Sequence, residues 1–341
     1  MKESVKRKCL ALLAGALMVL PASAQYIPSM SVGKPEKQRR ATGVYWHPGN
    51  TFSHLDLALS VGTTGIGIEL ASPLCEIAQV RLGYEIMPPF RRKLTSDVMV
   101  GNEKSIQYDE NGNRIRTNFE KVRDMMYRQL GYDMMDHIDM TGTLTMNNFK
   151  FLVDIFPLLG NKNLHVTLGF YWGPSQIAKI EHNSNSAATL QCVSAYNKLY
   201  DATPDVDPYK TYGRAGFLMG KYGHDVSSAD GSSVLVKTGD DYKMTAGETG
   251  EIYIPVKTNA FRPYLGVGYE GNILKKREDL KFAATGGAIF WGGTPSMITP
   301  DGVNLTKDVN DITGKTGSYV KLMSKLIICP AINVRVIKTL F

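Results

Sequence analysis

At 341 residues the chain is long enough for one large domain or two, and its 39 Lys and Arg against 32 Asp and Glu leave a formal charge of only +7. That balance gives no basis for nucleic-acid binding. No stretch after Gln25 approaches 18 consecutive apolar residues, which excludes a helical membrane protein.

The opening segment, MKESVKRKCLALLAGALMVLPASA, sets Lys2, Lys6, Arg7 and Lys8 before an apolar run from Leu10 to Leu20 and ends on Ala22, Ser23 and Ala24. This is the layout of a secretory signal peptide over residues 1–24, with cleavage expected before Gln25. The run is shorter than the about 20 residues of a spanning helix. Cys9 precedes the run instead of marking the cleavage point, which argues against lipoprotein processing. Export removes four basic residues and one acidic, leaving 35 against 31. Residues 25–52 are polar, basic and rich in Gly and Pro, and read as a tail.

Alternation begins at LDLALSVGTTGIGIELASPL. Leu55, Leu57, Leu59 and Val61 share one face, and Ile66, Ile68 and Leu70 follow after the Gly62–Gly65 turn. IAQVRLGYEIM sets Val80, Leu82, Tyr84 and Ile86 against Gln79, Arg81, Gly83 and Glu85. NFKFLVDIF, LHVTLGFYW, FRPYLGVGY, LKFAATGGAIFWGG and PAINVRVIKTLF complete eight runs with a period of two, which is strand geometry. Their length of roughly 9 to 12 residues suits a tilted membrane strand. The links SPLCE, PLLGNKN and NILKKRED are short, whereas links three, five and seven span about 50, 85 and 35 residues. Short turns at one end and long loops at the other are the layout of an outer-membrane barrel.

The chemistry of the two faces decides which is inside. The minor faces carry Gly, Ala, Ser and Thr with balanced charges: Asp56, Glu69, Glu85 and Asp154 against Arg81, Lys150, Arg262 and Lys281. Each Arg or Lys turned to the bilayer midplane would cost about 2–4 kcal/mol, so these eight are expected to form a charge network in a narrow lumen. The aromatics Tyr84, Phe170, Trp172 and Tyr269 fit interfacial girdles. The expected fold is therefore all-β: a closed antiparallel up-and-down transmembrane barrel over residues 53–341, with eight strands, or ten if SSVLVKT and GEIYIPVKT both span. Its long, partly helical outer loops cover about residues 89–143, 176–260 and 293–328.

The signal peptide, the eight alternating runs and the terminal Phe341 resemble the small outer-membrane β-barrels of Gram-negative bacteria, of the OmpA- or OmpW-like eight-stranded kind. GTTGIGIE followed by QVRLGYE is similar to the form found in Bacteroidetes. The resemblance implies residence in the outer membrane, contact with its lipid and insertion by the outer-membrane assembly machinery. One feature departs from the family pattern. Thr339, Ile337, Arg335 and Asn333 share the parity of Phe341, while Ile332, Val334 and Val336 have the other. A bulge near Lys338, or a Phe341 turned off the lipid face, would reconcile them.

No motif for catalysis, cofactor or metal stands out. GTTGIG has the order G-x-x-G-x-G and is followed by a strand where a dinucleotide site requires a helix. GKT at Gly314 to Thr316 lacks the first glycine of a phosphate loop and reads as ordinary loop. The six histidines show no ligand spacing. Asp201, Asp205 and Asp207 cluster among prolines without the EF-hand pattern. Cys75, Cys192 and Cys329 are expected to be unpaired in preference to a Cys192–Cys329 bridge. In NFEKVRDMMYRQLGYDMMDH, the residues Phe119, Val122, Met126, Leu130 and Met134 fall at helical spacing. They are either a helix packed on the rim or an adaptable face for a surface protein partner. SSVLVKT and GEIYIPVKT are expected to pair as a hairpin above the membrane. Together these features point to a non-enzymatic surface barrel with a plugged lumen, with a small-solute channel and a lipid- or peptide-modifying enzyme as alternatives.

Overall fold

In chain order, the principal strands of the first half are β1 (Asp56–Gly62), β2 (Gly65–Cys75), β3 (Ala78–Ile86), β4 (Phe90–Val100), β5 (His137–Leu144), β6 (Asn148–Ile155), β7 (Leu164–Trp172) and β8 (Gln176–His182). They are followed by β9 (Ala215–Tyr222), β10 (Asp241–Met244), β11 (Tyr253–Lys257), β12 (Phe261–Leu274), β13 (Arg277–Phe290), β14 (Ser296–Met297) and β15 (Ile328–Thr339). The helices are α1 (Asn118–Leu130), α2 (Ala187–Ala202), α3 (Pro208–Tyr212) and α4 (Gly314–Lys325). This computed structural model describes residues 52–340 except 76, 132, 158–162, 204–207, 228–233, 275–276 and 313. The expected signal peptide, the tail up to Thr51, Asp205, Asp207 and Phe341 lie outside the described residues.

Eight strands close into a barrel in the order β1-β2-β3-β6-β7-β12-β13-β15, and β15 returns to pair with β1. They are the eight alternating runs of the sequence, and the ten-stranded alternative does not occur. Leu59, Val61, Ile66, Ile68, Leu82, Tyr84, Trp172, Val267 and Tyr269 are exposed on the outer surface, while Asp56, Glu69, Arg81, Glu85, Lys150 and Asp154 are buried within. The parity of the last strand persists without a bulge as far as Thr339. Ile332, Val334 and Val336 point out, and Asn333, Arg335 and Ile337 point in. NILKKRED, read as a link, is mostly strand, because β12 runs to Leu274 and β13 starts at Arg277.

The long connections are not loops. They build a second sheet, a cap, in the order β10-β9-β4-β5-β8-β11-β14. Five adjacent barrel strands continue into it in unchanged order: β3 into β4, β6 from β5, β7 into β8, β12 from β11, and β13 into β14. The break between storeys is residues 87–89, 145–147, 173–175 and 258–260 for the first four, and 291–295 for the fifth. Proline helps to enforce it at Pro88, Pro89 and Pro174, because a residue without N–H cannot carry a ladder through. Among the described residues, SSVLVKT and GEIYIPVKT do not pair with each other. Val234–Val236 meets Val226–Ser227, and β11 lies between β8 and β14.

The helices pack on one face of the cap. α1 starts at a capping box between Thr117 and Glu120 and stops at Gly131, whose φ of 72° is the left-handed conformation that glycine adopts without steric cost. Phe119, Val122 and Met126 of this helix, with Met134 beyond it, join Leu94, Ile138, Met140, Val193, Phe217 and Met244 in one apolar core. The GKT segment opens α4 and is not loop.

Candidate functional site

Three layers occupy the barrel interior. The middle layer is electrostatic. Arg81 on β3 donates from Nη1 to Glu69 Oε2 of β2 at 2.8 Å and from Nη2 to Asp154 Oδ1 of β6 at 2.9 Å. Lys150 on β6 donates to Glu69 Oε1 at 2.6 Å and to Glu85 of β3. Arg335 on β15 reaches over β1 to within 3.5 Å of Glu69. Asn333 donates to Glu85 at 2.9 Å, and Thr167 donates to Asp154 at 2.7 Å. Arg81, Lys150 and Arg335 thus balance Glu69, Glu85 and Asp154 in a cluster drawn from four strands.

Glycine makes the room. A methyl group at Gly83 would lie 2.8 Å from Lys150 Cε and 2.9 Å from Glu69 Cγ, and one at Gly67 would lie 2.6 Å from Glu85 Cγ. Gly268 leaves the space that His165 fills, and Gly266 and Gly287 leave that of the Tyr264 hydroxyl. A narrow barrel is filled by pairing such small positions with long side chains.

Above this cluster the filling turns apolar. Leu152, Tyr171, Tyr264 and Ile289 of the barrel belong to the same core as the cap helices, and Tyr171 meets Tyr264 edge-on at 5.4 Å. Arg262 sits at this junction and is almost fully buried. It donates to the Asn259 carbonyl at 2.8 Å, to Asn148 Oδ1 at 2.6 Å and to the Pro174 carbonyl at 2.5 Å. One guanidinium thereby ties together two of the strand breaks and the first residue after a third.

Below the cluster is a recess of about 270 Å³ lined by His54, Gln79, Phe156, Glu270 and Lys281. Lys281 pairs with Glu270 at 3.1 Å, and Asp56 accepts from Thr339 at 2.6 Å. Ser53 Oγ lies 3.4 Å from His54 Nδ1, and His54 Nε2 lies 3.7 Å from Asp56.

Of the eight charges expected to form one network, five converge: Glu69, Arg81, Glu85, Lys150 and Asp154. Arg262, Lys281 and Asp56 do not. Arg262 is solvated by carbonyls and an amide, not by a carboxylate, and the other two belong to the lower mouth. Arg335, Asn333, Thr167 and His165 complete the site. Their signal was parity: Arg335 and Asn333 alternate with Ile332, Val334 and Val336, and His165 with Leu164 and Val166.

The expected interaction face is spent internally. Phe119, Val122, Met126 and Met134 are at most 2% exposed, and only Leu130, at 42%, reaches the surface. The structure takes the packed-helix alternative for this segment. Cys75, Cys192 and Cys329 are all free thiols, and burial pushes the Cys192 thiol up from its ordinary value. Among the described residues no group of three metal-ligating side chains converges. Asp201 pairs with Arg214 at 3.0 Å.

No protein-family description matches the chain, and no curated protein matches it. Among solved structures it is similar to CarO2 of Acinetobacter baumannii, with a TM-score of 0.37 and 14% identity over 84% of this chain and 98% of that one. It is similar to CarO of the same organism, with a TM-score of 0.36 and 13% identity over the same shares.

Proposed function

We propose that this chain is a non-enzymatic outer-membrane barrel of a Gram-negative bacterium, with a plugged lumen, acting at the cell surface through its cap. The observation that carries the reading is the inversion of the barrel. Its exterior is an apolar belt, with Tyr84, Trp172 and Phe261 exposed toward the cap end and Tyr269 and Phe282 toward the other. Its interior holds balanced charges. Only a hydrocarbon solvent rewards that arrangement, and a closed sheet satisfies the backbone within it. Outer-leaflet and inner-leaflet lipid, the assembly machinery that inserts the barrel and a surface partner are the contacts this reading implies.

The plug is supported from above and within: the core of the cap enters the upper mouth, and the ion cluster fills the middle. Single-channel recording in planar bilayers tests it, with no conductance expected from the refolded mature chain. Stable openings would sink the plugged reading.

A row of buried polar groups, with His165 Nε2 3.9 Å from Asp154, Arg335 3.5 Å from Glu69 and Glu270 beside Lys281, favours a second reading, a proton path along the lumen. Dissipation of a pH gradient across proteoliposomes, absent in an H165F variant, would select it. An enzyme is the weaker alternative. Ser53 and His54 are chain neighbours, so their approach is imposed by local geometry, and both links of the row exceed the 2.6–3.2 Å typical of a working relay.

A further inference from the structure

The face of the cap opposite its helices carries an open groove of about 640 Å³ across β4, β5 and β8. Strand register arranges its side chains in rungs: Arg91, Thr143 and Lys179 in one, and Lys93, Thr141 and Glu181 in the next. Asn183 and Asn185 line its far end, and Thr141 donates to Asn183 at 2.6 Å. The alternate residues of these strands, Leu94, Met140 and Ile180, are the ones that build the cap core. The cap core therefore leaves the charged groove side chains aside, while Thr143 is buried and Asn185 donates to Asp139 at 3.1 Å.

Three cations face one carboxylate, Glu181, which pairs with Lys179 at 2.7 Å. Leaving His182 aside, the groove-lining residues keep a net charge of +2. Among the described residues no carboxylate lies within ion-pair distance of Arg91 or Lys93. Like charges gathered on adjacent strands destabilise a sheet, and an anion seated between them reverses that cost. Nothing aromatic lines the groove except His182, so the stacking platform of a single-stranded nucleic-acid site is missing.

Position selects the anion. Arg91 lies five residues beyond Ile86, the end of β3. At about 3.3 Å per residue and a strand tilt of about 35–45°, which the cap strands inherit by continuing the barrel in unchanged order, this is about 12–14 Å above the barrel rim. The headgroup layer of a phospholipid leaflet is only about 5–8 Å deep, so its phosphates stay below the groove. A phosphorylated oligosaccharide on a glycolipid reaches it.

We propose that this groove binds the phosphorylated sugars of an outer-leaflet glycolipid, a reading that rests on the outer-membrane assignment above. Arg91, Lys93 and Lys179 take the phosphate oxygens through charge-assisted hydrogen bonds, and Thr141 and Asn185 take sugar hydroxyls. The contact would anchor the cap in the saccharide layer it stands in.

The test uses the mature chain refolded in detergent. Heat-modifiable electrophoretic mobility reports the closed barrel independently, so a failed barrel and an empty groove are told apart. Binding is measured calorimetrically to a glycolipid with a phosphorylated sugar core, to the same glycolipid after phosphatase treatment, to phosphatidylglycerol vesicles and to inorganic phosphate. Phosphatase treatment should weaken binding by about tenfold or more. R91Q/K93Q/K179Q should lose the preference while keeping the folded mobility. The comparison of the two glycolipids on the unaltered protein stands even if that variant misfolds. Equal affinity for the treated glycolipid overturns the proposal, as does unchanged binding by the folded variant. Equal binding to phosphatidylglycerol makes the groove a general membrane-surface patch and also overturns it. Full displacement by millimolar inorganic phosphate reduces the groove to a free-anion site and overturns it too.

Discussion

Lys150 is the residue on which the lumen cluster turns, because it lies between Glu69 and Glu85 and is 1% exposed. Replacing it with Met leaves two buried carboxylates facing each other, a change worth about 3–5 kcal/mol. Denaturant unfolding of the refolded barrel should show that loss for K150M. The double variant K150M/E85Q should recover part of it, because one of the orphaned charges is gone. Arg262 is the opposite case, a buried cation that no carboxylate meets among the described residues. Composition marked both as lumen charges, and residue type alone does not distinguish an ion-pair partner from a guanidinium cradled by carbonyls. Arg335 is the converse: it comes within 3.5 Å of Glu69, yet it shares the parity of Phe341, which a lipid-facing terminal motif would place outside.

The strand breaks are the elements that turn a barrel into a two-storey molecule. R262M should loosen them, raising amide exchange at residues 145–147, 173–175 and 258–260 while the barrel strands stay protected. Each lost hydrogen bond to the guanidinium is worth about 1.5–3 kcal/mol. The cap also has its own titration. Burial, with Asp301 beside it, raises the Tyr242 phenol well above its ordinary value of 10.0, and its hydroxyl donates to Asp301 at 2.7 Å. A group whose folded value is raised holds stability below its unfolded value and loses it as pH rises. Protease should therefore open the cap progressively above about pH 10, and Y242F should blunt that dependence while costing about 1 kcal/mol at neutral pH. The eight barrel strands were legible because a closed tube with a polar filling and an apolar exterior demands strict alternation. β4, FRRKLTSDVMV, was not: its outer residues are charged, its inner ones meet helices, and the proline break upstream resets the count. The groove rungs were equally hidden, since they exist only across strands distant in sequence.

At the scale of the whole molecule, one wall is tall and one is low. The five strands from β3 to β13 rise into the cap, whereas β1 and β2 turn back at Gly62–Gly65 and β15 begins directly below α4. The seam where the tube closes, β15 against β1, lies on the low side and joins the two ends of the described chain. A tube packed with Arg81, Lys150 and Tyr264 has no bore through which a folded superstructure passes. On the outer-membrane reading proposed above, the superstructure is expected to cross while the cylinder is still an open sheet, with the β1–β15 seam zipping last. A disulfide engineered across that seam before insertion would trap the upper storey on the wrong side. On that reading the topology predicts an order of events during biogenesis: export of the tall wall, then closure at the low one.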